Sequence, residues 1–113
     1  MNTKQLFLRA YEVCPMEVRE FFTHLDTCVR MLLARYPTSL LAAAGDGEIL
    51  IPRAFEDVCG IDPLYEGALI LGVVAGKTAS KADQNAFLEE ADLVYRTLWR
   101  RAARGKRACA VRG

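Results

Sequence analysis

Apolar side chains recur at helical spacing along most of the chain, and this pattern predicts a mainly helical fold. The clearest stripe lies in residues 15–36, where apolar positions repeat every three or four residues and most charged residues fall between them. Pro15 is expected to open this helix at its first position, where proline is tolerated. Pro37 is expected to end it, because proline restricts the residue before it.

Two further helices are predicted on either side of this one. Thr3 is expected to cap a short first helix, since apolar residues follow it at helical spacing. A third helix is predicted over about 63–78, with Asp62 as its cap and Pro63 at its first position. The fold class is therefore a small helical bundle of about four helices.

Residues 39–52 change character and predict a short β-hairpin or an extended insertion. The sequence Gly45-Asp46-Gly47 is a turn signal between two apolar runs, and β-branched residues follow it before Pro52. A helical alternative for residues 40–44 stays open, because a short apolar run is ambiguous by periodicity. Residues 54–60 are expected to form one helical turn.

The last helix is predicted to begin with Ser80 as its cap, with Asp83 completing a pattern like a capping box. Phe87 opens the apolar stripe that continues along this helix towards the C-terminus. Gly105 is the expected stop. The predicted organisation is one helical domain over residues 1–104, followed by a basic tail over residues 105–113.

Charge is distributed unevenly along the 113 residues, although the total is only +1. Residues 1–95, the body, hold eight basic and fourteen acidic side chains, a net charge of −6. Residues 96–113 hold seven basic side chains and no acidic one. Such a basic end suits an acidic protein surface or nucleic acid, although a solvated tail has the same composition.

The N-terminal sequence lacks the apolar segment of a signal peptide, and no apolar run reaches the length of a membrane span. Synthesis and use in the cytosol are therefore expected, with no membrane partner. Composition fits one globular domain, since 52% of the residues are hydrophobic and 26% are charged.

The segment "GVVAGKT", residues 72–78, ends like a phosphate-binding loop but differs from one in two ways. Only three residues separate Gly72 from Gly76, where the loop has four. The segment also lies inside a predicted helix, with no strand before it. We therefore interpret its glycines as positions where a neighbouring backbone packs closely.

Candidates for catalysis and metal binding are few, so we expect no enzyme, no cofactor and no metal site. His24 is the only histidine, and it lies four residues before Cys28 without two further ligands in any cluster. A catalytic role for His24 needs a nucleophile or carboxylate partner, and the sequence indicates none. The cysteines form no CxxC pair and are expected to be buried free thiols.

The arrangement of helices over residues 15–104 resembles a known family. An early amphipathic helix ends in "ARYP", a stretch with a turn and "IP" follows, and a "Y..ALI..V" helix comes next. A final helix carries "F...A...Y..L" spacing. These positions are Tyr65, Ala68, Leu69, Ile70 and Val73, then Phe87, Ala91, Tyr95 and Leu98. The pattern is similar to that of small head–tail connector (adaptor, head-completion) proteins of tailed bacteriophages and prophages.

The resemblance implies a structural virion protein that is made in the host cytoplasm and assembled in the neck between capsid and tail. It implies a homo-oligomeric ring beneath the portal protein, further contacts with neck or tail proteins, and DNA passing without sequence-specific binding. The C-terminal segment would dock onto the portal or a neighbouring copy. The partner-binding residues would be Tyr95, Trp99, Arg100, Arg101, Arg104, Lys106, Arg107 and Arg112. The alternative is a small basic-tailed nucleic-acid-binding or regulatory protein.

Overall fold

The computed structural model describes residues 1–43 and 49–112, with side chains in the last helix described as far as Arg104. These residues form a mainly helical bundle with four α-helices, as the sequence predicts, and they contain no sheet. The helices are α1 (Thr3–Val13), α2 (Val18–Arg35), α3 (Glu66–Thr78) and α4 (Lys81–Arg112), with 3-10 turns at Thr38–Leu40 and Pro63–Tyr65.

The cap of α1 is Asn2, so the prediction that Thr3 caps this helix is wrong. The Asn2 side chain accepts a hydrogen bond from the Gln5 amide at 3.1 Å. Thr3 is buried instead, and its hydroxyl donates to the carbonyl of Asp57 at 2.5 Å. Because the buried hydroxyl cannot bond to water, it needs a partner within the protein, and the Asp57 carbonyl supplies it.

The start of α2 also differs from the prediction, since Pro15 lies outside the helix and the first helical residue is Val18. A reciprocal capping box sets this boundary. The Glu17 side chain accepts from the backbone three residues ahead, and the Glu20 side chain accepts from the Glu17 amide. The two bonds satisfy amides at the start of α2 that have no partner within the helix. They therefore favour a helix that begins after Glu17 rather than at Pro15.

The insertion after α2 begins with the 3-10 turn Thr38–Leu40, and the turn of the predicted hairpin, residues 45–47, lies outside the described residues. Residues 49–52 form no strand. Ala42 makes an isolated antiparallel bridge with Ile61, and Asn2 makes another with Val58. Residues 54–57 form a turn rather than a helical turn, with the Asp57 carboxylate accepting from the amides of Arg53 and Ala54.

Asp62 and Pro63 take the cap and first positions as predicted, but in the 3-10 turn that leads into α3, which itself begins at Glu66. The helix α3 runs through the segment that resembles a phosphate loop. Asp62 accepts from the Leu64 amide at 2.9 Å, and Pro63 occupies the first turn. Lys77, in the last turn, forms an ion pair with Glu20 of α2 at 2.5 Å. The chain then leaves the helix through Ala79, whose φ of 54° is left-handed. The Gly-Lys-Thr sequence is therefore a helix end.

Close packing explains two glycines of α3. A Cβ at Gly72 would lie 2.5 Å from Cys28 Sγ and 2.9 Å from Phe87 Cδ1. A Cβ at Gly76 would collide with the ring of His24, which is half-buried against this turn. The missing side chains let the α3 backbone pack closely, as the sequence predicts, but the neighbours are side chains of α2 and α4 rather than another backbone.

The start of α4 confirms its predicted cap, because Ser80 Oγ accepts from the Asp83 amide at 3.3 Å. The expected stop at Gly105 is wrong, since the helix continues to Arg112. At 1.5 Å per residue, its 32 residues span about 48 Å. The backbone is therefore helical on both sides of the predicted boundary between residues 104 and 105.

Cys28 and Cys59 are buried free thiols as expected, whereas Cys14 is only half-buried and the side chain of Cys109 lies outside the described residues. Burial raises the pKa of Cys28 from 9.0 to about 12. Burial also raises the pKa of Cys59. These thiols therefore keep their protons in the folded state at pH values where an unfolded chain loses them.

Gly72→Ala should lower the free energy of unfolding by about 2 kcal/mol, because the new methyl group overlaps Cys28 and Phe87. The matched control is Gly67→Ala on the exposed side of α3, where the nearest atom is a Glu90 carboxylate oxygen at 4.0 Å. That change should raise the free energy of unfolding by up to about 1 kcal/mol through helix propensity. Urea denaturation followed by circular dichroism measures both, and equal effects at the two sites would contradict the packing.

Stability should fall as the pH rises above about 9, because unfolding then releases the Cys28 proton that the folded state retains. The slope from this thiol approaches about 1.4 kcal/mol per pH unit. Urea denaturation between pH 8 and 10.5 should therefore show a shallower pH dependence for Cys28→Ala than for the wild type. A slope unchanged by Cys28→Ala would contradict the burial of this thiol.

Candidate functional site

A cluster centred on Tyr36 fixes where the C-terminal part of α4 leaves the body. Tyr36 follows the last residue of α2 in an extended conformation, and its ring stacks on Tyr95 with centroids 4.6 Å apart. Its hydroxyl donates to Asp92 Oδ1 at 2.8 Å, and Arg96 Nη2 lies 3.1 Å from the other carboxylate oxygen. These contacts join the C-terminal end of α2 to α4.

The protonation of Tyr36 suits its role as a donor. Burial raises its pKa, and so do the hydrogen bond to Asp92 and the charge of that carboxylate. Arg35 acts in the opposite direction, with its guanidinium carbon 5.8 Å from the ring centroid. The net shift is upward, so the phenol stays neutral at physiological pH.

Next to this cluster, a concave surface opens between α4 and the 3-10 turn that follows α2. We call it the Trp99 groove; it encloses about 590 Å³. Trp99 is 57% exposed on its rim. Ala102 and Ala103 form part of the wall from α4, and their small side chains leave the space open. The groove is lined by Pro37, Ser39, Leu40, Tyr95, Trp99, Ala102 and Ala103.

Arginines lie next to the exposed tryptophan and farther along α4. Arg100 lies with Tyr95, Arg96 and Trp99 around a smaller depression of about 260 Å³. Arg100, Arg101 and Arg104 are exposed. Within the described part of the chain these three form no ion pair, whereas Arg96 pairs with Asp92. Arg100 therefore presents positive charge beside the aromatic surface, and Arg101 and Arg104 present it farther along the same helix.

The structure brings some of the sequence-predicted partner-binding residues together. Tyr95, Trp99 and Arg100 share one surface, but Tyr95 has a structural role as well, because it supports Tyr36. Arg101 and Arg104 continue along the exposed part of α4. The remaining three lie on the helical backbone of α4, and their side chains are outside the described residues: Lys106, Arg107 and Arg112.

Sequence reasoning missed the half of the groove that α4 does not supply. Pro37, Ser39 and Leu40 form its second wall, and Tyr36 holds the two walls together. Local sequence carries a signal for only one part of this arrangement, the spacing of Asp92 and Arg96 at i and i+4. The contact between Tyr36 and Asp92 joins residues 56 positions apart, and no periodicity reveals it.

A second concave surface, of about 600 Å³, lies beside residues 49–58. Its polar groups are engaged in local structure. Asp26 pairs with Arg30 at 2.8 Å, and the Asp57 carboxylate accepts backbone hydrogen bonds from the turn. Across the described residues, no group of three or more His, Cys, Asp or Glu side chains is placed to hold a metal ion. The Trp99 groove with its arginines is therefore the stronger candidate for binding.

Comparisons with known proteins identify no relative, because no family model, curated protein or solved structure matches the chain. A search of the described helices for a membrane-spanning segment finds none that is both long enough and apolar enough. The interpretation of the site therefore depends on its own geometry and charge.

If Trp99 serves binding and Tyr36 serves structure, their substitutions should affect stability differently. Tyr36→Phe should lower the free energy of unfolding by about 1–2 kcal/mol, because the charged Asp92 carboxylate loses a donor. Trp99→Ala should change it by less than about 0.5 kcal/mol, because more than half of this side chain is exposed. Urea denaturation followed by circular dichroism measures both, and a loss above about 2 kcal/mol for Trp99→Ala would assign that side chain to the core instead.

Proposed function

We propose that the protein is a head–tail connector of a tailed bacteriophage or prophage, a structural protein of the virion neck that docks onto the portal through its basic C-terminal helix. The observation that carries the proposal is the exposed Trp99 beside Arg100, followed by the exposed Arg101 and Arg104, on a helix that continues beyond the body. The pattern of helices and apolar positions that resembles this family supports it.

The chemistry of this surface suits a protein partner with acidic groups. Tryptophan, tyrosine and arginine are the residue types that contribute most to binding at protein interfaces. An arginine guanidinium forms paired, charge-assisted hydrogen bonds with carboxylates. The 3-10 turn after α2 supports one side of the groove, so a partner that docks there meets a preformed surface.

The charge of the body fits a ring through which DNA passes. Residues 1–95 carry a net charge of −6, and phosphate groups are repelled by acidic surfaces. In the proposed arrangement the portal and neighbouring copies meet the basic helix, while acidic surfaces of the body line the passage. The protein then joins capsid and tail without retaining DNA on its own surface.

The same arginines favour one second candidate, a nucleic-acid-binding or regulatory protein. Duplex binding would release counterions, and its affinity would fall steeply with salt. The acidic body opposes this candidate, because it would have to face away from the duplex. The two candidates therefore differ in the partner that the arginines meet.

Deleting residues 100–113 should abolish binding to the portal protein encoded in the same gene neighbourhood, because the deletion removes six basic side chains. The double variant Arg100→Glu/Arg104→Glu should weaken binding at least about tenfold, or about 1.4 kcal/mol. Arg53→Glu is the matched control, since Arg53 is exposed but lies apart from the Trp99 groove. The Arg53→Glu variant should bind purified portal rings with an affinity close to that of the wild type, as measured by titration.

Two outcomes would count against the connector proposal. The first is a truncated protein that binds portal rings as tightly as the full chain. The second is a protein that ignores portal rings but binds duplex DNA with an affinity that falls about tenfold or more as salt rises from 50 to 200 mM. The second outcome would support the nucleic-acid-binding candidate directly.

A further inference from the structure

The junction of α1 and α2, residues 11–18, exposes several apolar side chains, and we call it the corner. Val13 is 64% exposed, Tyr11 47% and Val18 44%, and Pro15 is exposed between them. Single exposed apolar residues are ordinary, but four within eight positions form a patch. In contrast, Met16 of the same segment is buried in the core, which fixes the corner against the body.

The corner is also acidic. Glu12 and Glu17 are exposed, and residues 11–18 contain no basic side chain. The ion pairs that the described residues form include neither carboxylate. The Glu17 side chain accepts a hydrogen bond from the backbone of α2 in the capping box, and Lys77 lies near enough for this carboxylate to raise the lysine pKa. Glu12 therefore gives the corner its free negative charge, opposite in sign to that of Arg100 beside Trp99.

The corner and the Trp99 groove lie at opposite ends of α2. The corner leads into Val18 at its N-terminal end, whereas the groove includes Pro37 just beyond its C-terminal end. The 18 residues of α2 span about 27 Å. Two complementary surfaces separated in this way on one rigid helix cannot meet within a chain, but they can meet between two copies.

We infer that the corner of one copy docks into the Trp99 groove of the next. Val13 and Val18 supply apolar side chains to the groove, while Glu12 faces Arg100 beside it. Such a contact is heterologous, because it joins two different surfaces and leaves one of each free at the ends. Repetition gives a ring if the rotation closes and a filament if it does not.

This contact deepens the proposed function, on which it rests for ring closure, by naming the surfaces that join neighbouring copies. It leaves Arg101, Arg104 and the helix beyond residue 104 available for the portal, since Arg101 and Arg104 do not line the groove. A stable interface covers about 800 Å² of each partner. A corner of eight residues covers less than that, so we expect self-association in the micromolar range.

Sedimentation velocity from about 1 to 100 μM tests the contact, a range that suits micromolar affinity. The wild type should form dimers and larger species as concentration rises. Trp99→Ala and Val13→Asp should each stay monomeric, because each loses one of the two surfaces. An equimolar mixture of these variants should form dimers that grow no further, because one intact corner and one intact groove remain.

Leu50→Asp is the matched control, since Leu50 is 69% exposed and belongs to neither surface. It should self-associate as the wild type does, and circular dichroism should show all variants folded. A wild type that stays monomeric at about 100 μM would overturn the inference. So would a variant mixture that stays monomeric, or a Leu50→Asp protein that loses self-association.

Portal binding separates this inference from the proposed function. If both hold, Val13→Asp should lose self-association and still bind portal rings as single copies. If the two variants form dimers when mixed but the wild type does not bind portal rings, the corner contact is supported and the connector function is contradicted. If the wild type binds portal rings but never self-associates, the connector function is supported and the corner contact is contradicted.

Discussion

The α3 backbone lies against α2 and α4 at a distance that glycine alone permits, and the positions of both surfaces depend on this approach. At Gly72 the space for a side chain is taken by Cys28 from α2 and Phe87 from α4, and one turn later His24 fills the space at Gly76. Because interiors are close-packed, a methyl group here displaces two helices at once. A shift of α2 would move the corner at one end and Tyr36 at the other, while a shift of α4 would move Trp99.

The two parts of α4 contribute differently to the molecule. Phe87, Ala91 and Val94 are buried, so the first part belongs to the core. Beyond Leu98 the described side chains are half-buried or exposed, and an exposed tryptophan and exposed arginines replace core packing. Tyr36 contacts α4 at Asp92 and Tyr95, just before the buried part of this helix ends. Its ring stacking and its hydrogen bond anchor α4 to the body at that point. The direction of the basic helix is therefore fixed by a contact from α2.

Local signals account for what the sequence predicted and also for its errors. Apolar spacing and caps act within a few residues, so the four helices and the Asp62 and Ser80 starts could be predicted. Gly105 did not end α4, because one glycine costs only about 1 kcal/mol and the residues around it favour helices. Pro15 did not open α2, because the capping box begins two residues later. In each case a second local preference outweighed the one that the sequence interpretation used.

The charge of the site could be predicted from the sequence, but its shape could not. The shape decides which partners the charged side chains can reach. Seven basic residues without an acid indicate an acidic partner, yet they identify neither the groove beside Trp99 nor its second wall. With the shape known, the like charges within each surface limit the pairing of copies. Two grooves facing each other would oppose arginine to arginine, and two corners would oppose glutamate to glutamate. Such contacts cost free energy, so among the possible pairings of two copies the favourable one joins a corner to a groove.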